Sequence, residues 1–124
     1  MQDFQKLTVW KKAHQLTMFL YSATKGFPKE ETYGLTSQIR RSAVSIPANI
    51  AEGCGRGNRE FYHFLRIAMG SASELEYHLI LVHDLTYLET EAYGRARREV
   101  VEVKKMLTSL MKSVSSKLTP KSAN

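Results

Sequence analysis

Four stretches of this chain set apolar residues three and four positions apart, and that spacing, kept up over most of 124 residues, constrains the fold more than any other feature. In the first, Val9, Ala13, Leu16, Leu20, Ala23 and Phe27 fall along one helix face. The second carries Ile39, Ala43, Ile46 and Ile50, with Thr36 as its expected N-cap. Phe61, Leu65, Ala68, Ala72, Leu75, Leu79 and Val82 mark the third, which Asn58 is expected to cap. The fourth starts from Thr90 and runs Tyr93, Ala96, Val100, Val103, Leu107, Leu110 and Val114. No alternating strand pattern competes. Helices with this spacing pack at shallow crossing angles, so the chain is expected to be all-α: an up-and-down antiparallel four-helix bundle over residues 1–114 with a polar, fraying tail over 115–124.

The punctuation agrees. Gly26-Phe27-Pro28 is expected to end the first helix, with Gly26 in the left-handed C-terminal position. Pro47 interrupts the second segment and removes the bond to the Ala43 carbonyl, so a kink is expected there. The stretch AEGCGRGNREF (51–61) suggests a phosphate-cradling loop, but its glycines, Gly53, Gly55 and Gly57, fit neither the dinucleotide spacing nor a P-loop. Gly53 then stops helix two and the rest is a short connector. Arg56 and Arg59 flank the open amides of helix three, a place favourable to phosphate.

Helix three is apolar beyond its main stripe, at Tyr62, Phe64, Ile67, Met69, Tyr77, Ile80, Leu81 and Leu85. Such a helix is expected to be covered on more than one side, here by another copy of the chain in a ring-like homo-oligomer. Gly70, at mid-helix, is expected to admit a close neighbour such as Ala43, Ala48 or Ala51. Helix two carries a diagonal polar stripe of Gln38, Arg41, Ser45, Asn49 and Glu52. Arg41, Asn49 and Glu52, with Ser71 and Glu74 of helix three, are candidates for a structural polar network or subunit interface.

Charge decides between classes of partner. The net charge is +6, yet residues 74–91 hold five acidic residues and no Lys or Arg, while 92–124 carry eight Lys and Arg against two acids. The acidic block suits head-to-tail association and the basic excess suits a polyanion, RNA or DNA. On helix four, Arg98, Lys105 and Lys112 recur every seven residues, with Arg97 and Lys104 alongside. The candidate phosphate contacts are Arg40, Arg56, Arg59, Arg95, Arg98, Lys105 and Lys112.

Catalytic and metal chemistry finds no foothold in these residues. Glu60-x-x-His63 lacks the second copy and the inward glutamates of a di-iron bundle, and His78 and His83 are five apart, on different sides of a helix. For the single Cys54, with His63 as the candidate base, the sequence offers no third group to orient the pair, and one cysteine cannot form an internal disulfide. No metal, cofactor or enzymatic activity is therefore expected. No apolar run reaches the roughly 20 residues of a membrane span. The N-terminus has no signal-peptide pattern, so a cytoplasmic location without membrane contact is expected.

The motifs YGLTSQIRRSAVSIPANIAEGCGRG (33–57) and EFYHFLRIAMGSASELEYHL (60–79), with FQKLTVWKKAHQL (4–16) and GFPKEE (26–31), resemble the four-helix-bundle proteins encoded in intervening sequences of bacterial large-subunit ribosomal RNA genes. The resemblance covers nearly the whole chain before the tail. It implies an up-and-down bundle assembling into a barrel-like homopentamer, nucleic-acid binding as the suggested role, and no catalytic residues. The chain is more distantly similar to the accessory variability determinant of diversity-generating retroelements, a basic pentamer that works with a reverse transcriptase. A protein-interaction scaffold, binding another protein without touching nucleic acid, is the alternative.

Overall fold

A computed structural model describes residues 3–118. Four helices carry the fold: α1 Thr8–Ala23, α2 Leu35–Gly53, α3 Asn58–Asp84 and α4 Thr90–Ser116, and no strand occurs among the described residues. Contacts between helices run in opposite senses. Thr17 of α1 meets Ala43 of α2 while Thr24 meets Arg40, and Gly53 abuts Phe61 and Phe64 of α3 while Ser45 meets Ser71. Tyr62 shares a groove with Ser115 while Glu76 reaches Arg97, and Phe19 lies beneath Arg95 while Val9 shares a groove with Ser113. Each helix is thus antiparallel to both neighbours, and α1 against α4 closes the bundle.

The periodic residues make the core. Leu16, Leu20, Ile39, Ile46, Leu65, Leu75, Leu79 and Leu107 are each less than 2% exposed. Burying a side chain of this size contributes roughly 1.5–3 kcal/mol. Of the four stripes, only Ala23, Tyr93 and Leu110 are less than fully buried.

α2 continues through Pro47, which is itself buried. Proline has no N–H to give the Ala43 carbonyl. That carbonyl instead accepts from the Thr17 hydroxyl at 3.1 Å, across the α1–α2 seam, while the same hydroxyl lies 2.8 Å from the Ala13 carbonyl. A helix-breaking residue is accommodated because a neighbouring helix supplies the missing donor.

Several helix ends differ from expectation. α2 starts at Leu35, one residue before Thr36, and its first amide is taken by Glu31 Oε1 at 3.1 Å rather than by a threonine cap. Asn58 is the first residue of α3, with Gly57 in the cap position and no side-chain bond. Gly26 is not left-handed; α1 ends instead through a short 3₁₀ turn, Thr24–Gly26, with the Thr24 hydroxyl on the Leu20 carbonyl at 2.8 Å. Among the described residues the left-handed positions are Gly55, φ 92°, and Thr86, φ 63°. Gly53 is glycine for another reason: a Cβ there would stand 2.7 Å from Phe64 Cβ. Gly70 is the reverse case, exposed and with open space where a Cβ would go, so none of the α2 alanines approaches it. α4 extends to Ser116, and residues 119–124 of the predicted tail lie outside the described residues.

Candidate nucleic-acid interface

α4 turns its apolar stripe inward through Ala96, Val100, Val103, Leu107 and Val114, each buried. At 100° per residue, Arg98, Lys105 and Lys112 then fall on the opposite, outermost ridge, about 10 Å apart along the axis. All three are exposed. Arg59, in the first turn of α3, is exposed as well. These four of the seven sequence-predicted cations are exposed and make no ion pair among the described residues.

The other three are engaged within the chain. Arg40 donates to Thr24 Oγ1 at 2.9 Å and to the Tyr21 carbonyl at 3.1 Å, with its guanidinium 4.7 Å from the Tyr21 ring centre. It fastens the end of α1 to α2. Arg56 pairs with Glu52 and donates to the Glu52 carbonyl, folding back on the end of α2 with its head over the Phe64 ring. Arg95 pairs with Glu99 at 3.0 Å and lies 4.1 Å above the Phe19 ring. Each keeps its charge, but its donors are already directed at protein atoms.

The groove between α3 and α4 holds a cation cluster that spacing alone did not resolve. Glu76 accepts from Arg97 at 3.0 Å and from Lys104 at 2.9 Å, and Arg97 also donates to the Tyr93 hydroxyl at 2.7 Å. The Lys104 ammonium above all, then Arg97, holds the Glu76 carboxyl below its usual range against the opposing effect of burial. Two cations on one carboxylate leave this groove net positive. Toward the open end of α4, the same groove deepens into a cavity of about 450 Å³ lined by Tyr62, Met69, Thr108, Met111, Lys112, Ser115 and Ser116. Arg59 and Arg66 stand three residues before and four after Tyr62, which makes them its neighbours on the α3 surface. Arg66 is exposed and was missed in the sequence; its position four after Tyr62 was the available signal.

The polar stripe of α2 divides. Ser45 Oγ lies 2.7 Å from Ser71 Oγ, and Asn49 Nδ2 donates to both the Ser45 carbonyl and hydroxyl, a half-buried bridge between α2 and α3. Glu52 lies outside it, paired with Arg56. Glu74 approaches His78 at 4.0 Å, and Arg41 is exposed nearby. His78 is only 6% exposed and its Nδ1 has no hydrogen-bond partner among the described residues. Burial pushes its pKa down, Glu74 opposes that and Arg41 reinforces it. Its place three after Leu75 and four before Val82 put it beside the core stripe, a signal that passed unread.

On α3, Ile67 is 39%, Tyr77 59% and Leu85 43% exposed. A second exposed group, Met18, Tyr21, Tyr33 and Val44, lies on the α1–α2 side, where Tyr21, Tyr33 and Val44 line one groove. Glu60 and His63 are both exposed, and Cys54 is half-buried with its thiol pushed up by burial, away from the reactive thiolate. No helix of the described residues is long and apolar enough to cross a membrane.

Fold and surface together define a small, basic, all-α bundle protein with exposed cations along α4 and the start of α3 and others spread over α1, α2 and the connectors. Residues 5–109 match the family described as 23S rRNA-intervening sequence protein, and the chain belongs to that family. Among solved structures it is similar to a crystal structure of a protein of unknown function from the S23 ribosomal protein family of Bacteroides thetaiotaomicron. The two share 30% identity and a TM-score of 0.77 over 84% of this chain and 95% of the other. No curated protein matches the chain.

Proposed function

We propose that this protein is a non-enzymatic, homo-oligomeric bundle that binds RNA or DNA through phosphate contacts. The observation that carries the reading is the outer ridge of α4, where Arg98, Lys105 and Lys112 stand exposed in register, with Arg59 at the neighbouring helix start. A row of cations at regular spacing suits a polyanion better than a compact ligand, because each contact adds a similar counterion-release contribution and none dominates.

Association multiplies that row. The exposed apolar residues form two different groups, one around Ile67 and Leu85 and one around Met18, Tyr21 and Tyr33. Two unlike patches on one molecule suit a head-to-tail contact, which closes into a ring when the rotation permits. A pentameric ring, the state implied by the family likeness, brings five α4 ridges into one basic collar. A cytoplasmic setting fits such a partner.

The test is salt dependence. Binding of the purified protein to ribosomal RNA fragments should weaken by roughly 0.7–0.9 log units per phosphate contact for each log unit of salt. Light scattering on the same sample reads the subunit number. Absence of binding at low salt would refute the nucleic-acid role and favour the scaffold reading, which the Ser45–Asn49–Ser71 bridge beside exposed Ile67 supports.

A further inference from the structure

The outer ridge of α4 explains attraction to any polyanion and does not distinguish a duplex from a single strand. The cavity beside it does. Its floor is Tyr62, Met69 and Met111, its edges carry the hydroxyls of Thr108, Ser115 and Ser116, and Lys112 stands at its rim. At about 450 Å³ it falls in the range of pockets that take small organic groups. In a duplex the bases are stacked and paired inside the helix, so they present phosphates and groove edges to a surface but no free ring face. An unpaired base presents a flat apolar face with polar edges, which matches a floor of one aromatic and two thioether side chains rimmed by hydroxyls.

Charge complementarity commits the groove to an anionic strand rather than to a neutral apolar ligand. Lys112 borders the cavity from α4, and Arg59 and Arg66 flank Tyr62 from α3. Further along, the Glu76 carboxylate is held by Arg97 and Lys104. Cations therefore lie on both walls, and a strand laid along the groove meets them on either side of the cavity.

We infer that the α3–α4 groove binds single-stranded nucleic acid, seating one unpaired base against Tyr62, Met69 and Met111 with its flanking phosphates on Lys112, Arg59 and Arg66. The inference rests on the phosphate-binding reading above and adds to it the choice of strand. Nothing in it needs a particular base, since every base has a stacking face.

The experiment is fluorescence anisotropy with the full-length protein, a labelled single-stranded RNA 12-mer and the duplex of the same sequence, at several salt concentrations. The single strand is expected to bind at least about tenfold tighter than the duplex, the usual order for one stacked base. Tyr62→Ala should bring that ratio down toward one, and Tyr62→Phe, which keeps the ring, should restore it. A melting curve of each variant checks that the bundle is intact, and the Phe variant keeps the test valid if the Ala variant is unstable. Equal affinity for strand and duplex, both falling with salt, would overturn the base pocket and leave the phosphate reading standing. No binding of either would overturn both. Competition by poly-glutamate as effective as by unlabelled RNA would mark the groove as a site for acidic protein and also overturn the inference.

Discussion

Replacing Thr17 by valine tests how this fold tolerates a proline inside α2. The change keeps the side chain's shape and removes the hydroxyl that lies 3.1 Å from the Ala43 carbonyl. Thr17 is 8% exposed and Ala43 1%, so water cannot replace the lost donor. A buried acceptor left without a partner costs about 1–3 kcal/mol, and the valine methyl returns some of that through burial, so T17V should destabilise by about 1–2 kcal/mol. The diagnostic quantity is its coupling to position 47. In P47A the regained amide can bond the Ala43 carbonyl along the helix, and the Thr17 hydroxyl is no longer that carbonyl's only donor. T17V should then cost less than about 0.5 kcal/mol, giving a coupling near 1 kcal/mol. P47A on its own combines a gain in helix bonding with a cavity, so its single value decides nothing.

The assay is equilibrium urea unfolding of the wild type, both single variants and the double variant at one protomer concentration, because association feeds into apparent stability. A loss of about 1.5 kcal/mol with an m-value of about 1–3 kcal/mol per molar moves the midpoint by roughly 0.5–1.5 M. Additivity of the two changes within about 0.3–0.5 kcal/mol would refute the reasoning, since residues that share no group add in that way. It would mean that the Thr17 hydroxyl serves Ala13 alone.

Three other outcomes are expected. Gly53→Ala places a methyl 2.7 Å from Phe64 Cβ, an atom that moves only with its backbone, so thermal unfolding should show a loss of about 1–3 kcal/mol, and an unchanged melting temperature would contradict that packing. Thr86 occupies the left-handed position of a Schellman ending, with the Tyr87 amide on the Val82 carbonyl and the Thr86 amide on that of His83. Thr86→Gly should therefore stabilise by about 1 kcal/mol, and destabilisation in the same melt would show that the threonine is held there by something stronger than strain. For His78, burial lowers the folded-state pKa below the unfolded 6.5, so the unfolded chain takes up the proton first. Stability is then complete above that value and declines as pH falls from it toward the folded pKa. His78→Gln should flatten the decline between pH 7 and 5, and a decline equal to the wild type's would place its origin elsewhere.

Much of the fold was legible because a helix that buries one face must repeat its apolar residues near every 3.6 positions. The four stripes, from Val9 to Val114, became the core almost unchanged. Helix ends were harder, since a cap depends on which acceptor arrives in space. Glu31 caps α2 from outside the helix, and a threonine sits where glycine is usual after α3. Pro47 was legible as a missing donor, but its remedy comes from Thr17, 26 residues before Ala43 and on another helix. The expected neighbour for Gly70 failed for a related reason. A glycine in a sequence marks room for something and does not say whether the same chain fills it.

The candidate surface was legible only as charge, because a count of cations does not say which are already answered. Arg40, Arg56 and Arg95 each combine a hydrogen-bonded partner with an aromatic face inside the chain, so moving them to a phosphate would expose Tyr21, Phe64 or Phe19 and strand a carboxylate or carbonyl. Arg97 and Lys104, read at first as part of the outer row, turn inward to Glu76. On α3 and α4 what remains exposed and outside these pairs is a smaller set, Arg59, Arg66, Arg98, Lys105 and Lys112, while other exposed cations such as Lys11, Lys25, Lys29 and Arg41 lie elsewhere on the chain. The engaged cations still matter, because they offset Glu52, Glu76 and Glu99, while Glu102, exposed between Arg98 and Lys105, still opposes a polyanion at the ridge. On the proposed reading, selectivity for a polyanion rests less on the +6 total than on which carboxylates are offset and where a groove opens beside the cations that were left.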